Sequence, residues 1–313
     1  MVSPILTISS AQPIDVKMFD SYASLELTLF EIEKNIKNKV NANSLAEVSA
    51  MSSAHLQRLF RLAFERPLAS YIRSRKLAAS LEVLLKTNFR VIDIAEEYGF
   101  GYEQSYIRAF KREYGITPGE ARTSGRIIKV MPPLQLMEKN KMGNGGLFFG
   151  PDIVMVPEFH VVGRLHKMPY DKSLEEVPKV GKHFWFNDRE LIKNRISDDI
   201  YIGLTRDHSD GTNYSFYLPS TPVHKAENPL SPLHADTFPA SLCAKFHYIG
   251  QHHYFDLNRT VAKEMYKAIW AYANSNDAKY KLGDENLYFE RIDARDFDGV
   301  FCKLEWFTPC YTR

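Results

Sequence analysis

Several signals are scarce in these 313 residues. No apolar run approaches the ~20 residues that a membrane-spanning helix needs, so no membrane partner is expected. Cysteine is nearly absent. Cys243, Cys302 and Cys310 are odd in number and show no Cys-x-x-Cys spacing, which disfavours a disulfide framework and points to a reduced, cytoplasmic setting. Histidine is confined: nine of the ten lie after residue 150, and none makes a His-x-x-x-His or Cys/His cluster. No metal and no cofactor are therefore expected. No nucleophile stands beside a base in any evident pattern, which argues against an enzyme. The opening "MVSPILTISSAQPID" lacks the charged start and small-residue cleavage site of a signal peptide, and residues 1–20 read as a flexible lead-in.

What is present is an ordinary globular composition, 44% hydrophobic and 25% charged, long enough for about two domains. The charge is uneven. Residues 21–130 hold 17 Lys and Arg against 12 Asp and Glu, an excess of five, whereas the whole chain carries +2. A modest basic excess permits nucleic-acid binding without demanding it. Apolar spacing divides the chain at similar places. Through residues 21–126 it is helical, as in Leu25, Leu29, Ile32 and Ile36, or Leu77, Leu81, Leu84 and Leu85. Residues 127–150, with Pro132-Pro133 and Gly143, Gly145 and Gly146, read as a linker. Residues 151–313 carry six short β-like runs, from "DIVMVPEFHVVGRLH" to "VFCKLEWF", interrupted by helical segments near 174–196 and 257–273. Strand-helix-strand-strand occurs twice. The expected fold is an all-α domain with two helix-turn-helix units, then an α+β domain with duplicated β-α-β-β units.

The helix-turn-helix reading rests on two stripes. Val91, Ile94, Ala95 and Tyr98 give a short helix an apolar face, and Gly99 suits the sharp turn after it. The next helix buries Tyr106, Ile107, Phe110 and Tyr114 and turns Gln104, Arg108, Lys111 and Arg112 outward. Gly115 and Pro118 end it. Earlier, Ser52 caps a helix in which Leu56, Leu59, Phe60 and Ala63 face inward and Ser53, Gln57, Arg58 and Arg61 face outward. Either stripe alone reads as a solvated face. Two of them flanking a long helix predict recognition helices for successive major grooves, about 34 Å apart.

"SSAHLQRLFR", "YIRSRKLAAS", "IDIAEEYGF" and "SYIRAFKREYGITP" together resemble the DNA-binding domain of the AraC/XylS family of bacterial transcription regulators, over about residues 45–122. The resemblance implies double-stranded promoter DNA and RNA polymerase as partners. On that reading Ser53, Ala54, Gln57 and Arg58, and Glu103, Gln104 and Arg108, are candidate base contacts, the arginines gripping guanine and the glutamines adenine. Arg61, Arg73, Lys111 and Arg112 are candidate phosphate contacts. Two departures stand out. The first unit is about one helical turn short before "SSAH", which is expected to re-angle it. Tyr102 occupies the family's Ser or Asp cap position, a loss of about 1 kcal/mol.

In the second domain, two packed halves leave a crevice for a small molecule, and aromatics are plentiful. "PEFHVVGRLHKMP", "CAKFHYIG" and the stretch from "VAKEMYKAIW" to "CKLEWFTP" resemble the gyrase-inhibitor-like effector-binding domain. That resemblance implies a small, often cationic and apolar effector. Glu290, in "FERI", matches the family's acidic position, with Ile292 in place of a tyrosine; Glu305 is the reserve carboxylate. Tyr248, Trp270, Tyr288 and Trp306 are the candidate aromatic walls. Two other readings stay open: a small-molecule hydrolase or sequestering protein, and an architectural DNA binder without ligand. The linker is expected to keep the two domains independent.

Overall fold

The computed structural model describes residues 20–207, 213–226, 229, 231–275, 279–283 and 287–312, so the expected flexible lead-in lies outside the described residues apart from Asp20. Asp20 caps α1 (Ser21–Lys34), its carboxylate accepting from the Ala23 amide at 3.0 Å. Helices α2 (Ala42–Val48) and α3 (Ser53–Phe64) form the first helix-turn-helix. The connecting helix α4 (Leu68–Lys86) has 19 residues, a span of about 28 Å at the α-helical rise. Helices α5 (Val91–Glu97) and α6 (Glu103–Tyr114) form the second unit, and α7 (Pro118–Thr123) closes the domain.

The two turns share one hydrogen-bond pattern. Ala50 donates to Glu47 and Met51 to Ala46 in the first; Gly99 donates to Glu96 and Phe100 to Ala95 in the second. The shortened first unit therefore closes its turn on the same hydrogen bonds as the second. The turns differ in two ways: α3 starts two residues after Met51 and α6 three after Phe100, Gly101 at φ 75° being the extra residue, and the left-handed position has a different occupant. Ala50 sits at φ 54° where the second turn has Gly99 at φ 71°, so a residue with a Cβ holds a left-handed conformation. Tyr102 makes no side-chain cap, as its chemistry predicts.

The second domain is one antiparallel sheet with two helices on its front face. Its strands are β1 (Leu147–Val156), β2 (Phe159–Gly163), β3 (His166–Pro169), β4 (Ile200–Asp207), β5 (Tyr214–Val223), β6 (His234–Phe238), β7 (Ser241–Gly250), β8 (Tyr280–Leu282), β9 (Leu287–Asp293) and β10 (Cys302–Thr312). The helices are α8 (Ser173–His183) and α9 (Arg259–Ala273). The main path runs β1-β7-β10-β9-β4-β5-β2-β6, with β3 on β5 and β8 on β10. The duplication is present: β2-α8-β4-β5 and β7-α9-β9-β10 lay down matching three-strand sets, and the halves join where β4 pairs β9. The helix expected to reach residue 196 stops at His183, passing into a π-helical turn, Phe184–Asp188, that buries Phe184 and Trp185.

The expected linker ends inside β1, which begins at Leu147. Its remainder is fastened to the helical domain. Arg75 Nη1 donates to the Met131 carbonyl at 2.5 Å, and the Tyr71 hydroxyl accepts from the Leu134 amide at 2.9 Å. The expectation of independent domains is corrected here. Leu147, Ile249 and Phe301 of the second domain are buried in one apolar cluster with Leu25, Leu56, Phe60 and Tyr71 of the first. These three side chains are apolar, so water drives them into the helices rather than apart.

Replacing Ala50 by Gly is expected to raise stability by about 0.5–1 kcal/mol, the relief of a left-handed residue less the added freedom of the unfolded chain. Thermal unfolding checks this; an unchanged or lower melting temperature would show that the turn holds Ala50 without strain.

Candidate nucleic-acid interface and pocket

Gln104, Arg108, Lys111 and Arg112 are all exposed along α6, opposite buried Tyr106, Ala109 and Phe110. None of the four makes a hydrogen bond or ion pair among the described residues, which leaves their donors available to an outside acceptor. Glu103 sits half-buried in the first turn. Arg73 is half-buried on α4.

The stripe on α3 differs. Ser53 and Gln57 are bonded to each other, Gln57 Nε2 donating to the Ser53 carbonyl and hydroxyl at 3.2 Å. Ala54 is exposed beside them. Arg58 and Arg61 reach into the second domain. Arg58 Nη2 donates to the Arg295 carbonyl at 2.9 Å and its Nε lies 3.6 Å from Asp298, while Arg61 pairs with Asp296 at 3.1 Å. The structure thus corrects the two stripes' expected equivalence: one is free, and the other shares its arginines with a turn that follows β9.

The front of the sheet holds a partly open cavity of about 70 Å³ between α8, α9 and strands β4, β5, β9 and β10. Leu174, Val177, Met265, Ile269 and Leu304 supply aliphatic walls; Tyr217, Tyr266, Tyr288 and Trp306 supply aromatic ones. Glu290 is the only charged side chain among the described residues that line it. Burial raises the Glu290 carboxyl to about 7, against a hydrogen bond from Tyr217 that favours the charged form. Tyr217 donates a short hydrogen bond to Glu290 Oε1, and since a hydroxyl has one proton to give, Tyr201 must be the donor to Tyr217 at 2.5 Å. Burial, and then the charge of Glu290, push both phenols well above their usual value, so they stay protonated.

Gly203 on β4 lies directly across from Glu290. A Cβ there would come within 2.4 Å of the Tyr217 hydroxyl and 2.5 Å of Glu290 Oε1, so a side chain would occupy the carboxylate's own place.

Of the sequence-derived pocket residues, Glu290, Tyr288 and Trp306 line the cavity and three do not. Trp270 is 65% exposed on the outer side of α9. Tyr248 is fully buried nearby, bonded to Asn144 at 2.7 Å and His252 at 2.9 Å. Glu305 alternates to the back face, bound to Arg291 at 2.7 Å and Lys303 at 3.1 Å. The residues missed were Tyr217, Tyr201 and Tyr266. Tyr201 and Tyr217 sit in recognisable strands, but only the register of β4, β5 and β9 brings them to the acid.

Glu305 belongs to a charged ladder on the back face. Glu65, just past the end of α3, pairs with Lys245 and Lys303 at 2.7 Å each. Burial alone would raise the Glu65 carboxyl, but the two ammonium groups outweigh it and hold it at about 2. Lys303 meets Glu305, Glu305 meets Arg291, and Arg291 meets Asp293, which binds Arg295 at 2.6 Å. His247 lies among them and donates to the Ala63 carbonyl at 3.3 Å; burial and Lys303 lower it to about 4, so it is neutral.

Two helix-turn-helix units braced by one helix, one of them presenting an unpaired donor-rich face, define a DNA-binding protein. Residues 45–124 match the family described as a helix-turn-helix domain. The chain belongs to the AraC/XylS family of transcription regulators. It is 40% identical to the transcriptional activator AarP of Providencia stuartii over 93 residues, 30% of this chain and 69% of that one. It is 34% identical over 91 residues to the multiple antibiotic resistance protein MarA of Salmonella typhimurium, 29% of this chain and 72% of MarA. It is 32% identical over 112 residues to the right origin-binding protein of Escherichia coli, 35% of this chain and 39% of that one. The chain thus spans about two fifths of this last relative. Among solved structures, a Vibrio cholerae integron cassette protein aligns with 53% of this chain and 99% of its own at 13% identity and TM-score 0.39. SAV2435 bound to tetraphenylphosphonium aligns with 51% of this chain and 93% of its own, also at 13% identity and TM-score 0.39. No helix among the described residues is long and apolar enough to cross a membrane.

Arg108→Ala is expected to weaken binding to a selected duplex by about 1–3 kcal/mol and to relax preference at one base position. Lys111→Ala should weaken all sequences alike and flatten the salt dependence by about one unit of slope. Gel-shift titrations over a salt series measure both; unchanged affinity and slope in both variants would make the stripe an ordinary solvated face.

Proposed function

We propose that this chain is a promoter-DNA-binding transcription regulator, acting in the cytoplasm with RNA polymerase, whose gyrase-inhibitor-like second domain binds a small apolar cation at Glu290. The observation that supports the ligand class is the carboxylate of Glu290, the one charged group among the described residues of a cavity walled mainly by rings and aliphatic side chains, with the hydroxyls of Ser173, Thr205 and Ser215. Tyr and Trp faces attract an organic cation by about 0.5–2 kcal/mol. The carboxylate supplies the full opposite charge where water is excluded. Tyr217 and Tyr201 hold it in place, so little reorganisation is required of the acid itself. At about 70 Å³ the cavity takes only a few waters. A ring-bearing ligand must therefore widen it, and the helix with an internal proline, α8 with Pro178, forms the outer wall.

A carboxyl near 7 also supports a second reading, general-base hydrolysis. The walls are mainly aliphatic and aromatic, which favours binding over turnover; the hydroxyls of Ser173, Thr205 and Ser215 also line the cavity, so turnover is measured beside binding.

The test is calorimetry with a lipophilic cation and its neutral isostere. The cation prefers the ionised acid, so its affinity should rise by about tenfold from pH 6 to pH 8 as a carboxyl near 7 loses its proton. The neutral isostere should show no such rise. Glu290→Gln should flatten the cation's profile and leave the isostere unchanged. A cation profile that is flat in the wild type, or that persists in Glu290→Gln, would remove Glu290 from the reading; turnover of the ligand would favour hydrolysis.

A further inference from the structure

The contact between α3 and the second domain places two costs on the same few residues. Glu65 stands at the end of α3 with φ 52°, where the equivalent end of α6 has Gly115 at φ 75°. A side chain in that left-handed position is strained, and strain persists where surroundings enforce it. Here the surroundings are Lys245 and Lys303 of the second domain. The other cost falls on Arg58. Its Nε is buried without a hydrogen-bond partner among the described residues, although Asp298 lies 3.6 Å away. A buried donor left unmatched opposes the contact that buries it.

These residues also overlap the DNA-reading stripe. Arg58 and Arg61 belong to it; Ser53, Ala54 and Gln57 lie beyond the contact on the same helix. A helix about 10–12 Å across fills a major groove about 12 Å wide, so phosphate walls must stand along its flanks. The carboxylates of Asp296 and Asp298, with the Arg295 carbonyl, occupy one such flank and bind the arginines that a phosphate wall would bind.

We propose that the turn from Ala294 to Asp298 is an intramolecular substitute for the DNA backbone, an autoinhibitory clamp that keeps α3 from the groove while α6 remains free. The clamped protein engages DNA through α6, and reading by α3 requires the turn to let go. The apolar seam of Leu147, Ile249 and Phe301 keeps the domains together meanwhile. The turn is the direct continuation of β9, the strand that carries Glu290 in the cavity, so the cavity and the clamp share one strand. The inference rests on the DNA-reading role of the two stripes, and the experiment separates the two claims.

The probe is Gln57→Ala, since Gln57 lies on the stripe and outside the clamp. The clamp is opened by Asp296→Asn with Asp298→Asn, and in a second background by the same pair with Glu65→Gly added, which also removes the neighbouring ion pairs to Lys245 and Lys303 while giving the left-handed position its favoured residue, so α3 keeps its end. Binding is measured to a duplex selected from random sequence with each background protein, over a salt series. In the clamped wild type Gln57→Ala should change affinity by less than about twofold. In either opened background it should cost at least about fivefold, the lower range for a lost bidentate base contact. The salt slope of the opened proteins should steepen by about two as Arg58 and Arg61 find phosphates. Removing two carboxylates strengthens binding to any DNA, but it does not make binding depend on Gln57. Equal Gln57→Ala losses in clamped and opened proteins, with Arg108→Ala still damaging, would overturn the clamp alone. Loss of the Arg108 effect in every background would overturn the DNA-reading role beneath it.

Discussion

Everything in the second domain depends on the register in which β4 meets β9. Gly203 lies opposite Glu290 and Ile202 opposite Arg291. Strand alternation then sends Glu290 forward into the cavity and Arg291 backward into the ladder that ends on α3. A slip of one residue would exchange them, placing a guanidinium among the aromatic rings and the carboxylate against Glu305. The register is held by the apolar residues on both faces of the joint. Ile292 packs with the front core, and Ile202, Leu204 and Phe289 with the back one. Gly203 adds a local reason, because the Tyr217–Glu290 pair has space only above a strand without a side chain.

The attachment of the two domains divides its labour between apolar and charged groups. The apolar seam provides the favourable free energy of association. The ladder of Glu65, Lys245, Lys303, Glu305 and Arg291 is better understood as fixing orientation, since a buried ion pair rarely adds much once its desolvation is counted. It does make the contact sensitive to acid. Glu65 is held below its usual value, so its contribution is full above about 4.5 and is lost as pH falls toward about 2. Nothing in that window touches the physiological range, where burial brings the Glu290 carboxyl, raised rather than lowered, to about 7.

Much of this was legible in the sequence, because local chemistry dictated it. The helices of the first domain follow from 3.6-residue spacing, and the second turn from Gly99. Strand β7 matches "SLCAKFHYIG" from end to end. The duplicated strand-helix-strand-strand order implies the crevice, whereas Glu290 in "FERI" stands out only through the resemblance to the gyrase-inhibitor-like domain. What was hidden depends on contacts far apart in the chain. Lys245, Lys303 and Asp296 read singly as surface charges, and only the fold brings them to Glu65 and Arg61 at α3. The same is true of Tyr217, 73 positions from its partner Glu290. Trp270 and Tyr248 are pocket candidates in the sequence on aromatic character alone. One faces water and the other fills core, since residue type does not specify which side of an element it takes.

The central claim is the proposal that β9 carries a ligand's counter-charge at Glu290 and that the turn continuing it, residues 294–298, grips a DNA-reading helix. Amide hydrogen exchange resolved by segment tests it directly, comparing the free protein with the protein saturated by a lipophilic cation. The account predicts slower exchange in β9 and α8 on binding, together with faster exchange in α3 and in the 294–298 turn, and no such change in α6. Protection of β9 and α8 with α3 and the turn unchanged would contradict it.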